Sequence, residues 1–269
     1  MPNLFDLRLC RTLLFLPASN PRAIEKARGL AADMIVLDLE DAVKPEDKGR
    51  ARAAAVEAVA AGFDRPVAVR VNMVGSPWYE ADAAALAGGG AAYAVLPKAE
   101  GEQQARDLAG RARLPVLAMI ETARGVQAAA AIAPATAGLI AGTNDLAADL
   151  RITAGSGRGG LALGLQTVVL AARAAGVVAF DGVYNRLEDD EGLAAECEQG
   201  RAFGFDGKSL IHPSQIDTAN RIFGPGEAEL EAAIRLIAAA TGGAERFEGR
   251  MIEAMHVDQA RALVNRGHR

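Results

Sequence analysis

Two apolar runs in this chain end abruptly in an acid. Residues 115–122 (PVLAMIET) close on Glu121, and residues 138–145 (GLIAGTND) close on Asp145. Each reads as a buried strand whose end carries a carboxylate out of the core. Carboxylates at the ends of neighbouring strands converge, and without His or Cys partners they make a hard oxygen site. Such a site suits Mg²⁺, with Mn²⁺ as the alternative, and water or substrate oxygens complete the shell. A cation held in this way can chelate a 2-oxo acid and act on it as a Lewis acid. The competing reading is that each acid caps the helix that follows it.

Other polar residues close similar runs. Arg70, in 66–72 (PVAVRVN), has the fork for a bidentate grip on a substrate carboxylate, or for an ion pair with Glu40 or Asp41. Glu40 and Asp41 close 34–41 (MIVLDLED). As adjacent strand residues they would point opposite ways, one toward Arg70 or the cation and one toward the next helix. Lys98, in 93–99 (YAVLPKA), offers an ammonium to a substrate carboxylate or phosphate. Asp181 and Lys208 read as partners, and His212 before Pro213 as a structural residue. Gly155, Gly157 and Gly160 have dinucleotide-loop spacing, but a helix-like segment, 146–152, separates them from the preceding strand. They read instead as a mobile loop over a barrel mouth, with Arg158 free to touch a phosphate.

Eight apolar runs carry these groups: 11–18, 34–41, 66–72, 93–99, 115–122, 138–145, 177–184 and 205–212. Continuous apolar runs mark strands buried on both faces, and Ala-rich, charged helical segments separate them. Eight alternations predict an α/β fold, a (β/α)8 TIM barrel over residues 1–223, with a C-terminal helical extension over 224–269. Within the extension, 227–241 and 249–266 have helical patterns, and the segment is expected to pack on the barrel or on a neighbouring subunit. The active site of such a barrel lies at the C-terminal ends of its strands, where Asp38, Glu40, Asp41, Arg70, Asn72, Lys98, Glu121, Asp145, Asp181, Lys208 and His212 all fall.

Composition narrows the function. Hydrophobic residues make up 51% of the 269 and aromatics 4%, which suits helices packed closely on small side chains. The net charge of −5 is spread in both signs without a basic stripe, so nucleic acid is not an expected partner. Cys10 and Cys197 lack metal or redox spacing and fit a reducing compartment. No run is long enough to span a bilayer and no signal peptide opens the chain, so the expected location is cytoplasmic.

The motifs RTLLFLPASNPR, DLEDAVKPEDK, VRVN, LPKAE, MIETARGV, GTNDLAADL, FDGVY and GFDGKSLIHPSQI together resemble the citrate lyase beta-subunit (CitE-like) group of the aldolase/citrate lyase family, over about residues 11–263. The resemblance implies a metal-dependent barrel assembled as a homotrimer or hexamer. It implies Mg²⁺ on Glu121 and Asp145 and an oxo-acid carboxylate on Arg70. The implied chemistry is reversible C–C cleavage of a 3-hydroxyacyl thioester, of the citryl-, malyl- or citramalyl-CoA type, to an acyl thioester and a 2-oxo acid. The carrier would be coenzyme A or a carrier protein, and Asn20, Arg22 and Lys26 would lie on its side of the pocket. The family's C-terminal G-x-M-I-D segment, whose Asp reaches a neighbouring subunit's site, appears here as GRMIEAM with Glu253 in place of Asp, and Ala18 stands where the family has Gly. Two alternatives stay open: a metal-dependent aldolase acting on free 2-oxo acids, and a low-activity ligand-binding subunit of a larger complex with other lyase subunits.

Overall fold

The computed structural model describes residues 5–267; the outermost residues of the two expected segments, 1–4 and 268–269, lie outside them. All eight apolar runs form strands: β1 (Thr12–Pro17), β2 (Met34–Asp38), β3 (Val67–Arg70), β4 (Tyr93–Leu96), β5 (Val116–Ile120), β6 (Gly138–Ala141), β7 (Val178–Asp181) and β8 (Gly207–Leu210). They pair in parallel in chain order, and β8 pairs back to β1, so the sheet closes as a barrel. The helices between them are α1 (Pro21–Ala27), α2 (Lys48–Ala60), α3 (Tyr79–Leu86), α4 (Glu102–Ala112), α5 (Ala123–Ile132), α6 (Thr143–Asp149), α7 (Ala162–Ala175), α8 (Asp190–Phe203) and α9 (Ile216–Phe223).

Strand alternation sorts the side chains. Leu13, Phe15, Met34, Val36, Ala68, Val95, Leu117, Met119, Ile140, Val178 and Phe180 form one apolar cluster that fills the barrel. The alternate residues, among them Leu14, Ile35, Leu37, Val69, Leu96, Ala118 and Leu139, pack against the helices in a second, larger cluster. An inward side chain near the end of a strand therefore faces the barrel mouth, whereas its neighbours in sequence face the helix layer.

The extension differs in part from its expected form. α10 (Glu227–Ala239) falls within the predicted helix. The second predicted helix, 249–266, is shortened at its start. Arg250–Ile252 is a strand, β10, paired antiparallel with β9 (Glu245–Phe247), and α11 (Ala254–Gly267) follows. Glu248 and Gly249 turn the hairpin with φ of 45° and 83°. Two consecutive left-handed residues suit a tight hairpin, and the helical spacing of the apolar residues conceals it. Ala233, Leu236, Ile252 and Ala260 form the extension's own small core. Arg266 ties α11 to the barrel by donating to the carbonyls of Asp206 and Phe223.

Candidate active site

A cavity of about 400 Å³ opens at the C-terminal ends of the strands. Asp38, Asp41, Arg70, Glu121 and Asp145 line it together with Phe15, Pro17, Met119, Val183, Ser209 and Ile211. Inward parity explains the set: Asp38 follows Met34 and Val36, Arg70 follows Ala68, and Glu121 follows Leu117 and Met119.

Glu121 lies just past β5 and is buried. Its Oε1 accepts from the Lys98 backbone N–H at 2.7 Å. Its carboxylate fills the space that a side chain on Gly142 would need: a Cβ there would stand 2.4 Å from Oε2. Burial raises the pKa of Glu121, the Lys98 N–H, Arg70 and Lys98 lower it, and the charge of Asp145 raises it further. Neither acid caps a helix, since Thr122 is the N-cap of α5 and Gly142 that of α6. Among the described residues no three His, Cys, Asp or Glu side chains gather closely enough to hold a metal. The protein thus offers two carboxylates and leaves the remaining positions to water or substrate. One carboxylate is desolvated beyond what its cationic neighbours offset, and this donor set fits Mg²⁺.

Arg70 is gripped rather than free. Its Nε and Nη2 donate to Asp38 Oδ1 and Oδ2, both at 2.7 Å. That edge of the fork belongs to Asp38; Nη1, which also lies 3.7 Å from Met119 Sδ, and the second N–H of Nη2 are the donors left for a substrate. Nη1 lies 3.0 Å from Glu40 Oε2, which has no hydrogen-bond partner, so the contact is one of charges only. Burial works to lower the Arg70 pKa, but Asp38, Glu40 and Glu121 outweigh it and raise it. The sequence placed Asp38 among the strand-end acids but gave it no role. The alternation Met34, Val36, Asp38 was the signal that could have found it.

Glu40 and Asp41 lie beyond β2, which ends at Asp38. Glu40 turns inward and is buried, while the Asp41 side chain is 59% exposed. The expected capping role for one of them is not seen, since Asp47 is the N-cap of α2 and Lys44 that of the short turn before it. Burial pushes the Glu40 carboxyl up to about 7, against Arg70 and Lys98, which pull it down. Lys98 is committed to acids: its Nζ donates to Glu40 Oε1 at 2.9 Å and lies 3.1 Å from Asp145 Oδ2. An ammonium so engaged serves the carboxylates first. Its backbone has φ of 47°, left-handed for a non-glycine residue, which turns the N–H onto Glu121.

Other expected residues fall outside the cavity. Asp181 and Lys208 pair as expected, at 3.1 Å, but on the outward face of the barrel, where Glu196 of α8 and Arg158 join them. Arg158 therefore does not face a phosphate, and the glycine loop that carries it does not line the mouth. Asn72 donates to Asp82 of α3. His212 caps the turn at Pro213, taking the Ser214 N–H at 3.2 Å. Asn20 caps α1 through the Ala23 N–H, and Arg22 and Lys26 are exposed on that helix. Glu253 precedes α11, and it does not line the cavity of its own chain.

The family model for HpcH/HpaI aldolase/citrate lyase matches residues 11–213, the barrel with its site. The chain belongs to that family. A (3S)-malyl-CoA thioesterase of Cereibacter sphaeroides is 45% identical, over 94% of this chain and 93% of that protein. A citrate lyase subunit beta-like protein of Deinococcus radiodurans is 37% identical, over 96% and 97%. The crystal structure of CitE from Mycobacterium tuberculosis, in complex with magnesium, acetoacetate and coenzyme A, superposes with a TM-score of 0.85 at 36% identity, covering 98% of this chain and 100% of that one. Family and barrel are as the motifs implied, and the expected class, a carbon–carbon lyase of the citrate lyase beta-subunit type, agrees with them.

Proposed function

We propose that this chain is a Mg²⁺-dependent carbon–carbon lyase that cleaves a malyl-CoA-type 3-hydroxyacyl thioester to an acyl thioester and a 2-oxo acid. The observation that carries this reading is the pairing of Glu121 and Asp145 with Arg70 at one barrel mouth. Magnesium and coenzyme A accompany the CitE structure, and malyl-CoA is named in the thioesterase relative, so the substrate class is taken from both. Glu121 and Asp145 would hold the cation, which supplies Lewis-acid polarisation of the oxo-acid carbonyl. Arg70 Nη1 holds the oxo-acid carboxylate, and Asp38 fixes the guanidinium plane. Glu40, neutral or charged near pH 7, is placed to exchange a proton at its Oε2. Lys98 orders Glu40 and Asp145. The coenzyme A phosphates would run past Asn20 toward Arg22 and Lys26.

We take residues 224–269 as a segment that packs on the barrel or a neighbouring subunit, and the assembly as a homotrimer or hexamer in which Glu253 serves a partner's site. Among the described residues no helix is long and apolar enough to cross a membrane, and the enzyme is proposed to act in the cytoplasm. The test is incubation with malyl-, citramalyl- and citryl-CoA and Mg²⁺, with products read by mass spectrometry. Acetyl-CoA plus a 2-oxo acid, suppressed by EDTA, is the expected result. A second reading, hydrolysis of the malyl-CoA thioester, is favoured by the thioesterase relatives at 43–45% identity. It predicts malate and free coenzyme A instead, and that product pair would overturn C–C cleavage as the net reaction.

A further inference from the structure

The cavity has two unlike halves. β2, β3, β5 and the first turn of α6 present Asp38, Arg70, Glu121 and Asp145. The half built by β7, β8 and β1 presents apolar side chains, Phe15, Val183 and Ile211 among them, and one polar side chain, Ser209. Ser209 occupies an inward position of β8, in register with Leu13 of β1. It is 1% exposed, and its Oγ is buried without a hydrogen-bond partner among the described residues. Its sequence neighbour Lys208 points outward and is fully paired, so the contrast is local.

A buried hydroxyl without a partner disfavours the folded state. The residue lines the cavity, where a ligand oxygen would complete it. Phe15 links the two halves: its ring centre lies 5.5 Å from the Arg70 guanidinium carbon. Phe15, Arg70 and Ser209 line the same cavity, so a small anion held by Arg70 would occupy a space that Ser209 also borders.

We infer that Ser209 is a specificity-determining residue whose hydroxyl donates to a carboxylate oxygen of the 2-oxo acid that Arg70 holds. The inference rests on the proposed site for that acid and not on the fate of the thioester. It assigns the apolar half a role in recognition: it excludes water and leaves a single donor to orient the carboxylate.

Calorimetry with glyoxylate, pyruvate and oxaloacetate in Mg²⁺ tests it without any thioester. Ser209→Ala, which removes the donor, and Ser209→Cys, which puts a weak donor in its place, should each bind the favoured acid about tenfold more weakly, as expected for one hydrogen bond to a charged group. Their thermal midpoints should not fall, because no protein hydrogen bond is broken. Affinity equal to the parent in either variant would overturn the inference, as would a parent protein that binds none of the three acids. If no thioester is cleaved but the variants still bind the acid more weakly, the lyase reading falls and the role of Ser209 stands. If thioesters are cleaved and the variants bind as the parent does, the role of Ser209 falls alone.

Discussion

Two charge clusters lie on opposite faces of the sheet and do different work. Asp38, Arg70, Glu121 and Asp145 line the cavity, and Glu40 and Lys98 are paired with them. Arg158, Asp181, Lys208 and Glu196 face outward, between β7, β8 and the helices, and Asp181 and Lys208 are 0% exposed. The outer cluster pairs its cations and acids closely, though Arg158 Nε too lacks a hydrogen bond, and none of its four residues lines the cavity. The inner one keeps unspent capacity: Glu40 Oε2 lacks a hydrogen bond, Glu121 is held above its ordinary pKa by burial, and Arg70 keeps donors on Nη1 and Nη2 for a substrate. Similar residue types make a structural clamp where they are shut between sheet and helices, and a reactive site where they border a cavity.

Variants that separate the two clusters would sharpen or break this contrast. The largest effect is expected for Glu121→Gln, which should abolish Mg²⁺ binding in calorimetry and cut turnover on the order of 10³-fold, since the cation supplies several kcal/mol. The melting temperature should hold or rise, because the buried charge is gone. Full metal affinity in that variant would sink the shared-cation site. Lys208→Met should do the reverse. Denaturant titration should show a loss of about 3–5 kcal/mol from stranding Asp181 and Glu196, while Mg²⁺ affinity per folded molecule stays at the parent value.

Gly142→Ala tests the cradle under Glu121. The added Cβ would meet the Glu121 side chain at 2.3 Å, so the carboxylate must move. A displacement of about 1 Å corresponds to as much as ~10²-fold in rate, and weaker Mn²⁺ binding by electron paramagnetic resonance should accompany it. Asp38→Asn should lower kcat/KM about tenfold or somewhat more by loosening Arg70, the size of a charge-assisted hydrogen bond; an unchanged value would mean that Arg70 needs no orienting partner.

A graded effect is expected with pH. Unfolded Glu40 ionises near its ordinary value of 4.5, whereas the folded group holds its proton to about 7. Between these values the folded state binds more protons, so stability falls as pH rises through the window. In metal-free protein, Glu40→Gln should therefore gain on the parent between pH 5 and pH 8 in thermal melts. A constant difference across that range would contradict the raised value.

The eight strands and the barrel were legible because an apolar run between turn signals has few other uses, and eight of them alternating with helices close in few ways. Glu121 and Asp145 were legible because each ends such a run. What the list of polar strand ends could not show was which face each residue took. Asp181 ends β7 much as Glu121 follows β5, yet it and Lys208 lie on the far side of the sheet. Asp38 was read as one more acid although it holds Arg70. The second strand of the hairpin, Arg250–Ile252, was hidden at the start of the expected helix 249–266, because two left-handed residues, Glu248 and Gly249, outweigh a short periodicity.

The sequence by itself determined the barrel, its family and the pair of carboxylates, because apolar periodicity and motif spacing are local properties of the chain. Only the tertiary structure decided that Asp38 takes one edge of Arg70, that Lys98 spans Glu40 and Asp145, and that Ser209 lines the cavity with its buried hydroxyl unpartnered. These depend on contacts between residues 32, 47 and 58 positions apart and on inward or outward parity around a closed sheet, and no spacing along the chain records either.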